Sequence, residues 1–179
     1  MGLVLLIPFL LIRFGLLALL DGGAAVRAAH YPPQFQENRA VYAVYQLSTA
    51  AIFLVSPFLP VRWTLDGLFY LGVAVYIGGI VLLTAAMFCF ASPGEDGMNR
   101  AGLYRFSRNP MYVAYFVYFM GCVLLTRSPV LFGAVAAFQI SGHWLILGEE
   151  AWCIQQFGQA YVQYMREVRR YFGGGIFMF

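Results

Sequence analysis

Residues 65–90 read LDGLFYLGVAVYIGGIVLLTAAMFCF, and no charged side chain occurs between Asp66 and Glu95. An α-helix rises about 1.5 Å per residue, so about 17–25 apolar residues carry it across a hydrocarbon core about 30 Å thick. This stretch meets that length by itself. Comparable apolar runs lie on either side of it, at about 2–20, 41–59, 111–126 and 129–147, the 111–126 run being slightly short. The expected fold is therefore all-α: a polytopic membrane protein with about five transmembrane helices. The first run has no charge before Arg13. It lacks the basic leader of a signal peptide and reads as a mature helix.

Composition excludes several classes of function. Hydrophobic residues make up 61% of the 179 positions and charged residues 11%, against roughly 25% charge in a soluble domain. A water-soluble fold of this size would lack the polar side chains to cover its surface. Every basic side chain is arginine, and a net charge of +3 on so apolar a chain gives no footprint for nucleic acid. The three cysteines (Cys89, Cys122, Cys153) and two histidines (His30, His143) form no CxxC pair and no metal-ligand spacing. Neither a disulfide framework nor a metal centre is expected.

The arginines orient the chain. With five spans, Arg62 and Arg127 fall on one side, and Arg27, Arg39, Arg100, Arg105, Arg108, Arg166, Arg169 and Arg170 fall on the other. Positive residues collect on the cytoplasmic face, so residues 91–110 and the C-terminal tail are expected there, with the N-terminus outside. Helix-boundary signals agree. Asn109 can cap a helix that opens with Pro110, while Arg127-Ser128-Pro129 is a tight hairpin turn and Ser92–Gly97 a polar loop. From Glu149 to about Val168 the pattern is an amphipathic helix leaving the membrane, interrupted at Gly158 and ended by Gly173-Gly174-Gly175.

Two regions can carry chemistry. Gln139, His143, Ile146 and Glu150 share a helical face, which continues through Cys153, Phe157, Tyr161 and Tyr164. Polar groups inside a bilayer are costly and rarely face lipid. Gln139 and His143 either bond to neighbouring helices or line an access path for a substrate. Glu149 and Glu150 sit at the interface on the side of the eight arginines, and Glu150 is expected to be a surface-facing acid whose loss spares folding. The second region is Gly102-Leu103-Tyr104-Arg105-Phe106-Ser107-Arg108-Asn109-Pro110-Met111-Tyr112. There a helix N-terminus and adjacent arginines offer donors suited to a carboxylate or phosphate, or simply mark a membrane interface. Arg13, within the first helix, either snorkels to the interface or faces an inner cavity and meets a lipid head group.

Gly102-x-Tyr104-x-x-x-Arg108-Asn109-Pro110-x-Tyr112, then a membrane hairpin, Glu149-Glu150 and Phe157-Gly158-x-x-Tyr161-x-x-Tyr164, resembles the isoprenylcysteine carboxyl methyltransferase and phospholipid methyltransferase superfamily. The resemblance covers about residues 97–171. It implies an integral membrane enzyme using S-adenosylmethionine, with residues 1–90 as N-terminal transmembrane helices and 91–179 as the catalytic region. Gly102, Tyr104, Arg108, Asn109, Pro110, Met111, Tyr112, Glu149, Glu150, Tyr161 and Tyr164 fall where the cofactor would be held. Glu149, Glu150 and Arg170 are the candidates for catalysis, and Gln139, His143 and Arg13 for substrate binding. Asn109-Pro110-Met111-Tyr112 is similar to the phospholipid branch, whereas the Phe157–Tyr164 pattern is similar to the isoprenylcysteine and bacterial branch. Where many relatives read Arg-Val-Pro-Arg, this chain has Glu167-Val168-Arg169-Arg170, so Arg170 is the candidate there and Glu167 is not.

The implied acceptor is a membrane lipid or hydrophobic small molecule, with a slight preference for a phospholipid amine. The competing expectations are an isoprenylcysteine-type carboxyl or small hydrophobic acceptor, and a non-enzymatic membrane scaffold.

Overall fold

A computed structural model of the chain describes residues 1–20 and 39–172. Arg27, His30 and the glycines at 173–175 lie outside the described residues. Among the described residues the chain is helical and contains no strand. Helix α1 spans Leu3–Leu20, and its turns at Leu11–Leu16 are wound as π-helix. Helix α2 (Arg39–Val55) continues into a 3₁₀ turn ending at Phe58, and α3 spans Gly67–Ala91. A 3₁₀ turn at Gly102–Arg105 leads into α4 (Pro110–Thr126), followed by α5 (Pro129–Phe157) and the short α6 (Gln159–Glu167).

Helices α1, α2 with its 3₁₀ extension, α3 and α5 are long and apolar enough to cross a membrane, and α4 is a shorter apolar helix of 17 residues. Leu47 and Leu54 on α2, and Leu71, Ile77 and Val81 on α3, stand exposed on the outside of the bundle. An apolar girdle of that extent is stable only against lipid. This is an integral membrane protein.

Helix α4 can be short because it is central, with most of its residues buried. It crosses α3 at very close range through a reciprocal Tyr-x-x-Gly pair. A Cβ on Gly79 would lie 2.5 Å from Tyr118 Cα, and one on Gly121 would lie 2.5 Å from Tyr76 Cα. Small residues at such crossings let backbones touch where no hydrophobic effect drives association. Helix α1 lies against α4 through Phe9, whose ring packs 5.4 Å from Tyr115, 5.4 Å from Tyr118 and 5.0 Å from Phe119. The Tyr118 hydroxyl accepts from Phe9 N–H and donates to the Leu5 carbonyl, two groups that would bond each other in a regular α-helix. The π-helical turns begin just beyond this insertion. Helix α2 packs on α5, with Tyr45 stacked on Phe138 at 5.0 Å.

The bundle has two distinct ends. At one, Gly2 N–H bonds to Leu59 O (2.8 Å) and Arg62 N–H to Leu125 O (2.9 Å), while Arg127 pairs with Asp66. Asp66 also caps α3 by accepting from Phe69 N–H, and Ser128 caps α5 by accepting from Leu131 N–H. Arg62, Arg127 and the N-terminus thus share one end, as the arginine distribution predicts. The other end gathers the 92–109 segment, the end of α5, α6 and residues 168–172. Helix α5 does not stop near residue 147 with its apolar run but continues to Phe157. The break falls at Gly158 (φ 56, ψ −132), a conformation open to glycine and strained for other residues.

Candidate active site

Adjacent positions on an α-helix point about 100° apart, so Glu149 and Glu150 meet different surroundings. Glu150 is 3% exposed. Its Oε1 accepts from Arg108 Nε (3.1 Å) and Nη2 (2.8 Å), and its Oε2 accepts from Arg170 Nη2 (2.7 Å). Arg170 Nε lies 3.1 Å from both oxygens. The expectation of a surface-facing acid at 150 is therefore corrected: the carboxylate is buried at the centre of an Arg–Glu–Arg triad in which Arg108 is buried and Arg170 half-buried.

The triad closes a seam between the segment before α4 and the C-terminal tail. Arg108 Nη1 donates to the carbonyls of Met165 (3.0 Å) and Val168 (2.6 Å), and Arg108 N–H donates to Arg169 O (2.9 Å). Asn109 Nδ2 and Ser107 Oγ both donate to Arg170 O. Asn109 occupies the N-cap position of α4 without capping it, because its side-chain amide is committed to the tail instead. The Arg170 guanidinium is held above its ordinary pKa, first by these bonds to Glu150. A guanidinium has five N–H donors. Arg108 directs four of its own to Glu150, Met165 and Val168. Most of its donor capacity serves an anion and carbonyls of this chain.

Glu149 instead borders a cavity of about 330 Å³. Its Oε1 accepts from the Tyr112 hydroxyl at 2.8 Å, leaving Oε2 with no hydrogen-bond donor among the described residues. The wall is built both from the long apolar helices and from the segments outside them. Arg13 on α1, Tyr45 on α2, and Tyr112 and Tyr115 on α4 contribute from the helical bundle; Asn99, Tyr104, Tyr161 and Tyr164 contribute from the loop and α6. Burial holds the phenols of Tyr104, Tyr161 and Tyr164 above their ordinary pKa, so they stay neutral and present aromatic faces. Tyr164 Oη donates to Tyr104 O at 2.6 Å, which locks the two walls together. Asn99 Oδ1 is buried without a partner.

Of the residues nominated from sequence, Tyr104, Arg108, Asn109, Met111, Tyr112, Glu149, Tyr161, Tyr164 and Arg13 stand on this wall. Gly102, Pro110, Glu150 and Arg170 do not. Gly102 opens the 3₁₀ turn at φ 58, with Cys89 Sγ where a side chain would go. Pro110 starts α4, as expected. His143 Nδ1 lies 2.7 Å from the Tyr171 hydroxyl, and Gln139 Oε1 is buried without a partner; neither residue reaches the wall. The polar stripe Gln139–His143–Glu150 is thus met by the tail at Arg170 and Tyr171. The wall residues Tyr45, Asn99 and Trp152 carried no sequence signal, since each joins the cavity only through tertiary packing.

The phospholipid methyltransferase family model (PEMT) matches residues 69–160, which covers α3, α4, α5 and the first residues of α6. Among curated proteins and among solved structures nothing matches significantly. Arg108, Tyr112, Glu149 and Glu150 lie within the matched span, whereas Arg13, Tyr45, Tyr161, Tyr164 and Arg170 lie outside it. With a matched span of more than half its length, the chain belongs to the phospholipid methyltransferase family, membrane methyltransferases of the phospholipid and isoprenylcysteine type.

Proposed function

We propose that this protein transfers the methyl group of S-adenosylmethionine to the amine of a phospholipid that reaches the cavity from the bilayer. The observation that carries the proposal is the double lining of one cavity. Asn99, Tyr161 and Tyr164 border it from outside the membrane spans, and Arg13 and Tyr45 border it from inside them. A water-soluble donor and a lipid acceptor can meet in such a space without either leaving its own phase. Removing an acyl chain from the bilayer would cost about 0.8 kcal/mol per CH₂.

The wall fits the cofactor chemically. Its volume is at the lower end of the roughly 300–1,000 Å³ typical of ligand sites. Neutral tyrosine faces suit an adenine, the unpartnered Asn99 Oδ1 suits an N–H or hydroxyl donor, and the Glu149 carboxylate balances a cation. Bound S-adenosylmethionine supplies a methyl group already activated on sulfur, so the protein needs no metal or covalent nucleophile. What remains for the protein is alignment, which can contribute about 7–11 kcal/mol to lowering the barrier. A lipid ammonium must also lose its proton before it can attack. Glu149 Oε2 is the acceptor for that proton, while the Tyr112 hydroxyl fixes the carboxylate through Oε1. Glu150, Arg108 and Arg170 hold the wall in place.

We further propose that the cavity end faces the cytoplasm, because it carries the arginine-rich segments and the cofactor is cytosolic. The test of function is methyl incorporation from labelled S-adenosylmethionine into phosphatidylethanolamine, set beside a prenylated cysteine analogue. Label is expected in the phospholipid. Label in the prenyl analogue alone would move the assignment to the isoprenylcysteine branch.

A further inference from the structure

The cavity wall carries an acceptor that the protein itself does not use. Asn99 Oδ1 is buried, yet it accepts no hydrogen bond. Among the described residues two other side-chain atoms share that state, Ser56 Oγ and Gln139 Oε1, and neither residue borders the cavity. The other carboxamide on the wall, that of Asn109, already donates to Arg170 O. A buried acceptor left unpartnered bears its full desolvation cost, so it is retained where a ligand satisfies it.

The loop before the 3₁₀ turn fixes the place of this residue. Its neighbour Met98 is 4% exposed and packs against Tyr161, Tyr164 and Val168. Met98 N–H donates to Asp96 Oδ1 (3.1 Å), and Met98 O accepts from Gly94 N–H (3.1 Å). Asp96 is in turn paired with Arg100, on the far side of Asn99. The chain is tied down before and after Asn99, while its carbonyl oxygen is spent on neither anchor. Such pre-organisation lowers the cost of binding.

Resting on the proposed function for the identity of the cofactor, we infer that Asn99 reads its purine base. Asn99 Oδ1 accepts from the exocyclic amino group of adenine, and Nδ2 can donate to the ring nitrogen beside that group. A carboxamide carries an acceptor next to a donor. Adenine is the part of S-adenosylmethionine that presents the matching pair, and asparagine engages it through two parallel bonds. Tyr104, Tyr161 and Tyr164 border the same cavity and offer the flat faces on which a base stacks. The cationic groups of cofactor and acceptor call instead for a charge, which Glu149 supplies as the one carboxylate among the described wall residues.

The experiment is equilibrium binding to the purified full-length chain in neutral detergent. The probes are S-adenosylhomocysteine, the demethylated cofactor, and its 6-deamino analogue, in which hydrogen replaces the amino group of the base. Each is titrated into wild type and Asn99→Leu, and the unfolding midpoint of each unliganded protein is recorded. Leucine is close to asparagine in size and neither donates nor accepts. Wild type is expected to bind S-adenosylhomocysteine about tenfold more tightly than the analogue, which leaves the buried acceptor unpartnered. Asn99→Leu should lose about tenfold for S-adenosylhomocysteine and nothing for the analogue, so the preference disappears. Its unliganded midpoint should not fall, because Oδ1 gives up no hydrogen bond of the folded chain. A preference kept by Asn99→Leu would overturn the inference, as would the lack of one in wild type. So would an equal loss of both ligands with a lowered midpoint, which would mark Asn99 as packing. Wild type binding neither ligand would overturn the methyltransferase reading itself, and the inference with it.

Discussion

Each end of the bundle is fastened by arginine and carboxylate, yet the two fastenings do different work. At the N-terminal end, Arg127, in the turn between α4 and α5, reaches Asp66 at the start of α3, and the two side chains are 30% and 47% exposed. At the cavity end, the side chains of Arg108 and Glu150 are 7% and 4% exposed, and Arg170, at 30%, completes the triad. Water screens the first pair, so it adds little beyond marking the end of a helix. In the second, Arg108 and Glu150 are shielded, so their charges are strongly coupled and intolerant of losing either one. The buried triad is where loop, α5 and tail must keep register for the cavity to exist. On the proposed function, Glu150 is structural for the site, while its neighbour Glu149, on the cavity wall, acts in the chemistry.

The largest effect should come from halving the buried fastening. Glu150→Gln leaves the buried Arg108 uncompensated, and breaking a buried pair typically costs about 3–5 kcal/mol. Thermal unfolding in detergent should show a large drop, accompanied by loss of S-adenosylmethionine binding. Replacing the whole triad (Arg108→Met, Glu150→Leu, Arg170→Met) should recover most of the stability. If the single and triple variants were equally unstable, charge imbalance would not be the cause.

A smaller effect is expected at the dry centre. Gly121→Ala places a methyl group 2.5 Å from Tyr76 Cα, a backbone atom that cannot swing aside. Overpacking of this kind costs about 1–3 kcal/mol. The same unfolding assay should register it, with the affinity of the folded protein for cofactor little changed, since the α3–α4 crossing does not border the cavity.

The exposed fastening should matter least. Asp66→Asn should leave the unfolding midpoint at pH 7 nearly unchanged. The sign of its pH dependence follows from its pKa, which is lowered below the ordinary value, first by the hydrogen bond from Arg127 and then by that from Phe69 N–H. The small stability it contributes is present above the unfolded-state pKa and disappears as pH falls through the folded value. Wild type and Asp66→Asn should therefore converge below about pH 3–4. A large separation at neutral pH would mean that this end is less wet than its exposure indicates.

The helices were legible in the sequence because length and apolarity decide whether a segment can span a bilayer, and both are local properties. Arg62 and Arg127 at one end and the loop and tail at the other followed from the arginine distribution. The motif residues Tyr104, Arg108, Tyr112, Tyr161 and Tyr164 do meet at one cavity. What stayed hidden is which way each helix faces. In water, polar residues mark the outer face of a helix; in lipid, core-facing and lipid-facing positions are both apolar, so Tyr45 and Gly79 carry no pattern. The same ambiguity placed Glu150 on the surface and made Gln139 and His143 candidate lining. Asn109 misled for another reason: its amide can either cap a helix or bridge to a distant carbonyl, and only the fold decides.

On the proposed function Glu149 acts in the cavity, whereas Glu150 supports its wall. The direct measurement is methyl transfer from labelled S-adenosylmethionine to phosphatidylethanolamine in mixed micelles by wild type and Glu149→Gln, with the unfolding midpoint of each recorded in the same detergent. A positioned general base contributes about 10²–10⁴-fold. Transfer by wild type, a loss of at least about 100-fold in Glu149→Gln, and closely similar midpoints are expected. Equal transfer by the two proteins would contradict that role of Glu149.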